Sequence, residues 1–340
     1  MADHLRWGIL ATGNIARQFA GGVKASKTGE LVAIGSRTLE NAQTFAAKYG
    51  GKPYGSYEAV LDDPSVDAVY IATPHHLHAE WTIKAAQAGK GILCEKPFTL
   101  DAAEAEQALE AVKKAAVFFM EAFMYRCHPQ TLKAKSLVEE GALGEIRMIA
   151  SEFGFNAARD WDNFRLDGKL GGGALMDVGT YCVSFSRFIA GEEPSRVAYL
   201  PKMTDRDYDE TGSGALLFPC GINAHFGTAI HQQLENKARV FGSEGMLEID
   251  APWKCFGKMR IVRDGKTAEE WDLSTTNDGL YAHEADAVAR FFEAKECPYM
   301  TIADTLGQMK ALDSLRDSKF SLSPPGERVC EPSRSEGEQG

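Results

Sequence analysis

The first third of this chain alternates short apolar runs with helical patterns, and that rhythm constrains its fold more than any other feature. Trp7–Ala11, Leu31–Ser36, Ala68–Ala72, Gly91–Cys94 and Ala116–Met120 are short enough to be fully buried strands. Helical stretches at Asn14–Ala25, Leu39–Tyr49, Ser56–Leu61, His76–Ala88 and Thr99–Ala115 separate them. Parallel neighbours need a crossover between them, so this order predicts a parallel α/β sheet covered by helices. Gly50-Gly51 suit a left-handed helix end, Gly89 closes a later helix, and Ser56 is a candidate N-cap. Gly21-Gly22 fit less well, because glycine weakens a helix interior.

Beyond about residue 146 the pattern changes to longer segments of period two. These are Glu145–Asn156, Arg196–Lys202, Gly212–Phe218, Gly221–Thr228, Lys237–Phe241, Met246–Ile249 and Lys258–Arg263. Alternation of this kind predicts a large, mostly antiparallel open sheet with one packed face. Helices at Gln130–Glu140, Gly173–Ala190 and Tyr281–Lys295 are expected to cover its inner face, and Ile302–Lys319 to pack back on the first domain. The expected organisation is a first domain over residues 1–123, an α+β domain over 124–323 and a polar tail over 324–340. A length of 340 residues accommodates two such cores.

A formal net charge of −11 excludes a basic, non-specific nucleic-acid binder. No run approaches the ~18 apolar residues of a membrane span, and the N-terminus lacks the apolar stretch of a signal peptide. The seven cysteines (94, 127, 182, 220, 255, 297 and 330) are odd in number and form no Cys-x-x-Cys pair. Reduced thiols in a cytoplasmic protein are the expected state.

The chemistry-bearing motifs cluster at strand ends. After the first strand comes Gly8-Ile9-Leu10-Ala11-Thr12-Gly13-Asn14-Ile15-Ala16, an imperfect Gly-x-Gly-x-x-Gly/Ala dinucleotide fingerprint. Either Leu10 stands at the first glycine position or the turn is one residue longer. Gly13 would let the backbone approach a pyrophosphate at the helix N-terminus. The second strand ends Gly35-Ser36-Arg37-Thr38, without the acidic residue that binds a ribose 2′-hydroxyl. Arg37 there points to a 2′-phosphate, hence to NADP rather than NAD.

Ala72-Thr73-Pro74-His75-His76-Leu77-His78 ends the third strand. No cysteine or carboxylate stands nearby at ligand spacing, so it is expected to line the cofactor rather than hold a metal. Glu95-Lys96-Pro97 follows the fourth strand, where a lysine can bond a substrate hydroxyl and lower a neighbouring acid's pKa. Gly171-Gly172-Gly173 leads into Asp177 and Tyr181, four apart on one helix face. A tyrosine titrates near ~10 and needs a nearby cation to work near neutrality; Lys96 is the candidate.

These motifs resemble those of the Gfo/Idh/MocA oxidoreductases over nearly the whole chain. The resemblance rests on residues 11–16, 73–78, 94–97, 121–129 (Glu121-Ala122-Phe123-Met124-Tyr125-Arg126-Cys127-His128-Pro129) and 171–181. Most members carry His four residues after the aspartate. Tyr181 here, with Ala-Thr-Gly in the first turn and Ser36-Arg37, is similar to the branch of dimeric dihydrodiol dehydrogenase and NADP-dependent D-xylose 1-dehydrogenase.

The resemblance implies a Rossmann domain, Lys96 and Tyr181 as catalytic pair, and Asp177 holding the substrate. It implies cofactor contacts from Gly8, Thr12, Gly13, Asn14, Ile15, Ser36, Arg37, Thr38, Ala72, Thr73, Pro74, His75, His78, Glu95, Lys96, Pro97 and Arg126. Phe155, Trp161, Phe123 and Tyr125 are expected to wall the substrate, and Arg159, Asp160 and His128 to offer polar contacts. A homodimer, or dimer of dimers, through the open sheet face is expected.

The reaction expected is NADP-linked oxidation of a cyclic sugar or related diol. A reductase of dicarbonyl or anhydrosugar substrates, a glycosidase that retains its nicotinamide, and a non-catalytic sensor remain open. A sensor has no need of Lys96, Asp177 and Tyr181 together.

Overall fold

In the computed structural model the described residues are 4–157 and 163–318. The first sheet has six strands: β1 (Leu5–Leu10), β2 (Gly29–Gly35), β3 (Lys52–Tyr54), β4 (Ala68–Ile71), β5 (Gly91–Glu95) and β6 (Phe119–Ala122). All run parallel, in the order β3-β2-β1-β4-β5-β6. The direction of winding reverses between β1 and β4, which opens a crevice at their C-terminal ends. Helices α1 (Asn14–Ala25), α2 (Leu39–Tyr49), α3 (Glu58–Leu61), α4 (His78–Gln87) and α5 (Ala102–Ala115) connect the strands. Ser56 Oγ accepts from Ala59 N at 3.2 Å, the capping bond expected of it. The three-residue β3 carries no apolar run and escaped the sequence reading. Ala116, expected to open a strand, instead ends α5 with a left-handed φ of 53°.

After α6 (Pro129–Glu139), the second sheet holds eight strands: β7 (Ile146–Gly154), β8 (Arg196–Met203), β9 (Asp209–Leu217), β10 (Asn223–Ala229), β11 (Lys237–Gly242), β12 (Met246–Asp250), β13 (Met259–Arg263) and β14 (Lys266–Trp271). Their order is β14-β13-β12-β11-β7-β10-β9-β8, antiparallel except where β7 meets β10. The expected long helix at 173–190 is divided. A π-helical turn, Leu175–Gly179, runs into α7 (Thr180–Ala190). Such turns insert a residue into the helical repeat and recur at functional sites.

The last two helices, α8 (Asn277–Phe291) and α9 (Ile302–Asp317), turn back to the first sheet. Sequence reading put α8 on the second sheet; it packs instead along α1. Gly21 and Gly22 explain why: a Cβ on Gly22 would overlap Tyr281, and one on Gly21 would meet the Asp278 carboxylate. The pair is a close-approach surface between helices. Helix α9 lies on α5, where Asp313 accepts from Ala102 N at 2.8 Å.

Candidate active site

The nucleotide cradle forms where β1, β2 and β4 end. Ala11, directly after β1, carries a φ of 91°. It therefore occupies the first small position of the fingerprint, while Leu10 remains in the strand. Gly13 caps α1 without a side chain, and a Cβ there would meet nothing within 4 Å. The first-turn amides of Asn14, Ile15 and Ala16 thus face an open approach suited to a pyrophosphate. Thr12 Oγ1 and Ser36 Oγ lie 3.4 Å apart, joining this turn to the end of β2. Arg37 is exposed and makes no ion pair among the described residues. Thr38 caps α2, accepting from Asn41 N at 3.3 Å. Beyond Ala72 and β4, the Thr73 hydroxyl is buried without a partner, an orphan that a bound group would satisfy. Together these residues fit a dinucleotide.

Two expected cofactor residues are placed elsewhere. Gly8 lies within β1, where a Cβ would press on Val60 and Val66, so its smallness serves packing against α3. Arg126 is 2% exposed and its donors are spent inside the protein. Nε bonds Tyr299 O at 3.0 Å, Nη1 bonds Ser184 Oγ at 3.0 Å, and Nη2 pairs with Asp304.

The histidine cluster is built into the sheet edge behind Pro74. His75 Nδ1 lies 3.0 Å from Gly171 O, tying this loop to the glycine turn. His78 sits between Pro97 O at 2.9 Å and Thr73 O at 2.8 Å. Burial lowers His75 well below the ordinary range, with His78 and Lys96 adding to it, and brings His78 down to about 4. Each His78 ring nitrogen thus faces a carbonyl oxygen, and a neutral ring donates to one of the two.

At the end of β5, Glu95 is buried, accepts from the Tyr70 hydroxyl, and takes Lys96 N at 3.2 Å. Burial raises its carboxyl above the usual range against the pull of Lys96 and Tyr70. The Lys96–Pro97 peptide is cis. Lys96 Nζ donates to Asp177 O at 2.7 Å and to Asp177 Oδ1 at 3.3 Å, and lies 5.0 Å from the Tyr181 ring centroid. The lysine thus joins the β5 edge to the π-turn. Asp177 Oδ2 also meets Arg165 Nε at 3.1 Å. Burial alone would raise the Asp177 carboxyl; Lys96 and Arg165 overcome it and hold it well below the carboxylate range.

Tyr181 is 5% exposed inside an aromatic box. Phe153, Phe123, Tyr125 and Trp253 surround its ring at centroid distances of 5.2, 5.4, 5.8 and 5.9 Å. Its hydroxyl contacts Met124 Sδ at 3.5 Å. Burial drives the phenol well above its usual range, helped by Glu95, Tyr281 and Asp177. Lys96 lies over the ring and is engaged by Asp177, so the expected lowering of this phenol is not seen.

The expected substrate contacts divide. Phe155 packs against a small apolar cluster that includes Leu166, Ile230 and Val178 of the π-turn. Tyr125 is fully buried behind Tyr181, its hydroxyl 2.9 Å from Ser184 Oγ, so it backs the box rather than facing substrate. His128 caps α6, accepting from Gln130 N at 3.1 Å, and packs on His283. Its ring is buried with Nδ1 taken by that amide, and burial lowers it to about 4. Arg159, Asp160 and Trp161 lie outside the described residues. Sequence reasoning missed Arg165, Phe153 and Trp253. Phe153 lies two residues before Phe155 in an alternating strand, a signal that could have found it. Arg165 and Trp253 carry no such local mark.

Comparison with known proteins agrees with this architecture. Residues 5–123 match the oxidoreductase family with an NAD-binding Rossmann fold, and residues 131–248 match the GFO/IDH/MocA C-terminal domain. The chain is 32% identical to the trans-1,2-dihydrobenzene-1,2-diol dehydrogenase of Mus musculus, over 88% of this chain and 92% of that one. It is 34% identical to D-xylose 1-dehydrogenase (NADP(+)) 2 of Haloferax volcanii, over 92% and 97% respectively. Among solved structures, the 3-ketoreductase KijD10 of Actinomadura kijaniata, in complex with NADP, aligns with a TM-score of 0.85 at 29% identity, covering 93% of this chain and 98% of that one. The protein belongs to the Gfo/Idh/MocA family of oxidoreductases.

Proposed function

We propose that this protein is an NADP-dependent dehydrogenase of a cyclic sugar or related diol. The observation that carries the reading is Lys96: its ammonium lies 2.7 Å from Asp177 O and 5.0 Å from the Tyr181 ring, at the crevice where the strands end. The NADP-linked xylose dehydrogenase and the diol dehydrogenase at about one-third identity support the substrate class. Arg37, exposed at the end of β2, supports NADP over NAD.

A nicotinamide dinucleotide held by the β1 turn, Ser36 and Thr73 would supply the two-electron hydride acceptor or donor for the substrate carbon. In reduction Tyr181 Oη gives its proton to the developing alkoxide; in oxidation it takes the hydroxyl proton as the phenolate, whose negative charge Lys96 offsets. Asp177 directs Lys96 inward, and Arg165 shares that carboxylate. The aromatic box excludes water from the phenol. One observation favours a second reading, reduction of a carbonyl substrate: the Tyr181 hydroxyl stands as a donor, 3.5 Å from Met124 Sδ, and burial pushes the phenol above its usual range.

We also infer a homodimer through the open face of the second sheet. Ala150, His225, Ala215 and Ala198 form a row of short or flat side chains across β7, β10, β9 and β8. Exposed Leu200 lies on the same face. Ala215→Arg should convert the dimer to monomer in light scattering; a monomeric wild type would contradict the inference. No helix among the described residues is long and apolar enough to cross a membrane. Cys94, Cys127, Cys182, Cys255 and Cys297 are buried free thiols, which supports a reducing, cytoplasmic location.

A coupled screen of NADP+ reduction over pentoses, hexoses, inositols and cyclic diols tests the activity. Turnover with at least one class is expected. Absence of turnover in both directions, with NADP bound, would overturn it.

A further inference from the structure

Asp177 and Tyr181 ride on one short segment, the π-turn and the start of α7, and their meeting with Lys96 depends on where that segment is held. Its entrance is the glycine turn, where Gly171 and Gly173 take φ of 76° and 115°. Ala174 opens the π-turn with no side-chain cap of its own. The acceptor comes from another strand. Asp209, the first residue of β9, receives Leu175 N on Oδ2 at 2.8 Å. The same oxygen takes the Tyr199 hydroxyl of β8 at 2.5 Å. A Cβ on Gly173 would collide with the other carboxylate oxygen, so the turn is closed tightly on Asp209. From the third neighbouring strand, Thr228 Oγ1 donates to Ala174 O at 2.8 Å. At the far end Gln308 of α9 donates to Thr180 O at 2.9 Å and to Thr180 Oγ1 at 3.0 Å.

We propose that Asp209 is a positioning residue of the active site: a side-chain cap supplied across the sheet, which sets the place of the π-turn so that the Asp177 carboxylate meets Lys96 and Arg165. Asp209 is 8% exposed and forms no ion pair among the described residues. Burial pushes its carboxyl up to about 6, against the Tyr199 hydroxyl and the Leu175 and Ala174 amides that favour the ionised form. An ordinary N-cap needs a single acceptor, which serine or asparagine supplies without that cost. Two donors converging on one oxygen suit a carboxylate, and a charged acceptor holds them more tightly and in a narrower geometry. Asp177 N in turn bonds Gly173 O at 3.0 Å, so a shift at Asp209 passes through two residues to the catalytic carboxylate. Reacting groups tolerate about 1 Å of misplacement before rates fall by orders of magnitude.

The role of Asp209 rests on the dehydrogenase reading, and the test separates the two. Asp209→Asn, which keeps the shape and loses the charge, and Tyr199→Phe, which removes one donor, are compared with wild type well below their unfolding temperatures. Three quantities are measured: kcat, NADP+ affinity by fluorescence titration, and amide hydrogen exchange of a peptide covering residues 172–182. Asp209→Asn should lower kcat by about tenfold or more, with NADP+ affinity within about twofold of wild type. Exchange in residues 172–182 should rise while that of β1 and α1 stays the same. Tyr199→Phe should fall between the two. Unchanged kcat and exchange in folded Asp209→Asn would overturn the proposal, as would an equal loss of cofactor affinity and turnover. Should the wild type turn over no substrate, the dehydrogenase reading fails, and the exchange measurement still decides whether Asp209 holds the turn.

Discussion

Lys96 Nζ and the Asp177 carboxylate meet at 3.3 Å across the junction of the two sheets, with side chains 10% and 5% exposed. The pair brings the end of β5 and the π-turn into one site. Asp177 is shared with Arg165, so a single carboxylate balances two cations. Removing it should leave both cations with only the buried Glu95 carboxyl nearby. Asp177→Asn is expected to lower thermal stability by about 2 kcal/mol, with Arg165's exposure moderating the loss. Differential scanning calorimetry beside kcat/KM would check it, and unchanged values in both would refute it.

Cofactor choice turns on Arg37. Arg37→Ala should weaken NADP+ binding by about tenfold or more and leave NAD+ nearly untouched, since only NADP+ carries the 2′-phosphate. Fluorescence titration with each nucleotide measures this. Equal losses would remove Arg37 from that role.

The helix pair α1–α8 makes a prediction opposite in sign to helix propensity. Alanine normally stabilises an open helix over glycine by about 1 kcal/mol. Gly22→Ala should instead destabilise by about 2 kcal/mol, because its methyl would overlap Tyr281. Urea unfolding decides between the two signs.

Asp209 gives stability a pH dependence. Its carboxyl titrates near 3.8 when unfolded and is pushed up to about 6 when folded. The folded state therefore binds the proton more tightly, so this contribution is fully present below about pH 4 and is lost as pH rises through about 6. The interval corresponds to roughly 3 kcal/mol. Relative to Asp209→Asn, wild type should lose stability between those pH values in parallel urea titrations. A flat difference would show that the folded carboxyl titrates normally.

The parts of this protein legible in the sequence were those written locally. The strand rhythm of the first sheet, the Glu95-Lys96-Pro97 strand end and the Asp177–Tyr181 spacing each depend on neighbours in the chain. The first turn was legible except for its index: counting back from Gly13 and Ala16 puts the first small position at Ala11 rather than Leu10, and Ala11 takes the left-handed conformation that glycine usually supplies. Gly21-Gly22 looked like a flaw because their partner, Tyr281, lies far along the chain. Arg126, Tyr125 and His128 looked available to ligands because sequence cannot show that Asp304, Ser184 and the α6 amide already occupy them. Arg165 and Trp253 reach Asp177 and Tyr181 only through the fold.

The central claim is that Tyr181, beside Lys96, carries the proton. Tyr181→Phe removes one oxygen from a ring whose packing on Phe153, Phe123 and Trp253 is otherwise unchanged. Steady-state kinetics with the best sugar or diol from the screen, with NADP+ affinity measured alongside, test it most directly. The account predicts a fall in kcat of about 10²-fold or more with cofactor affinity near wild type. Near-normal turnover in Tyr181→Phe would contradict it and move proton transfer to Lys96 alone.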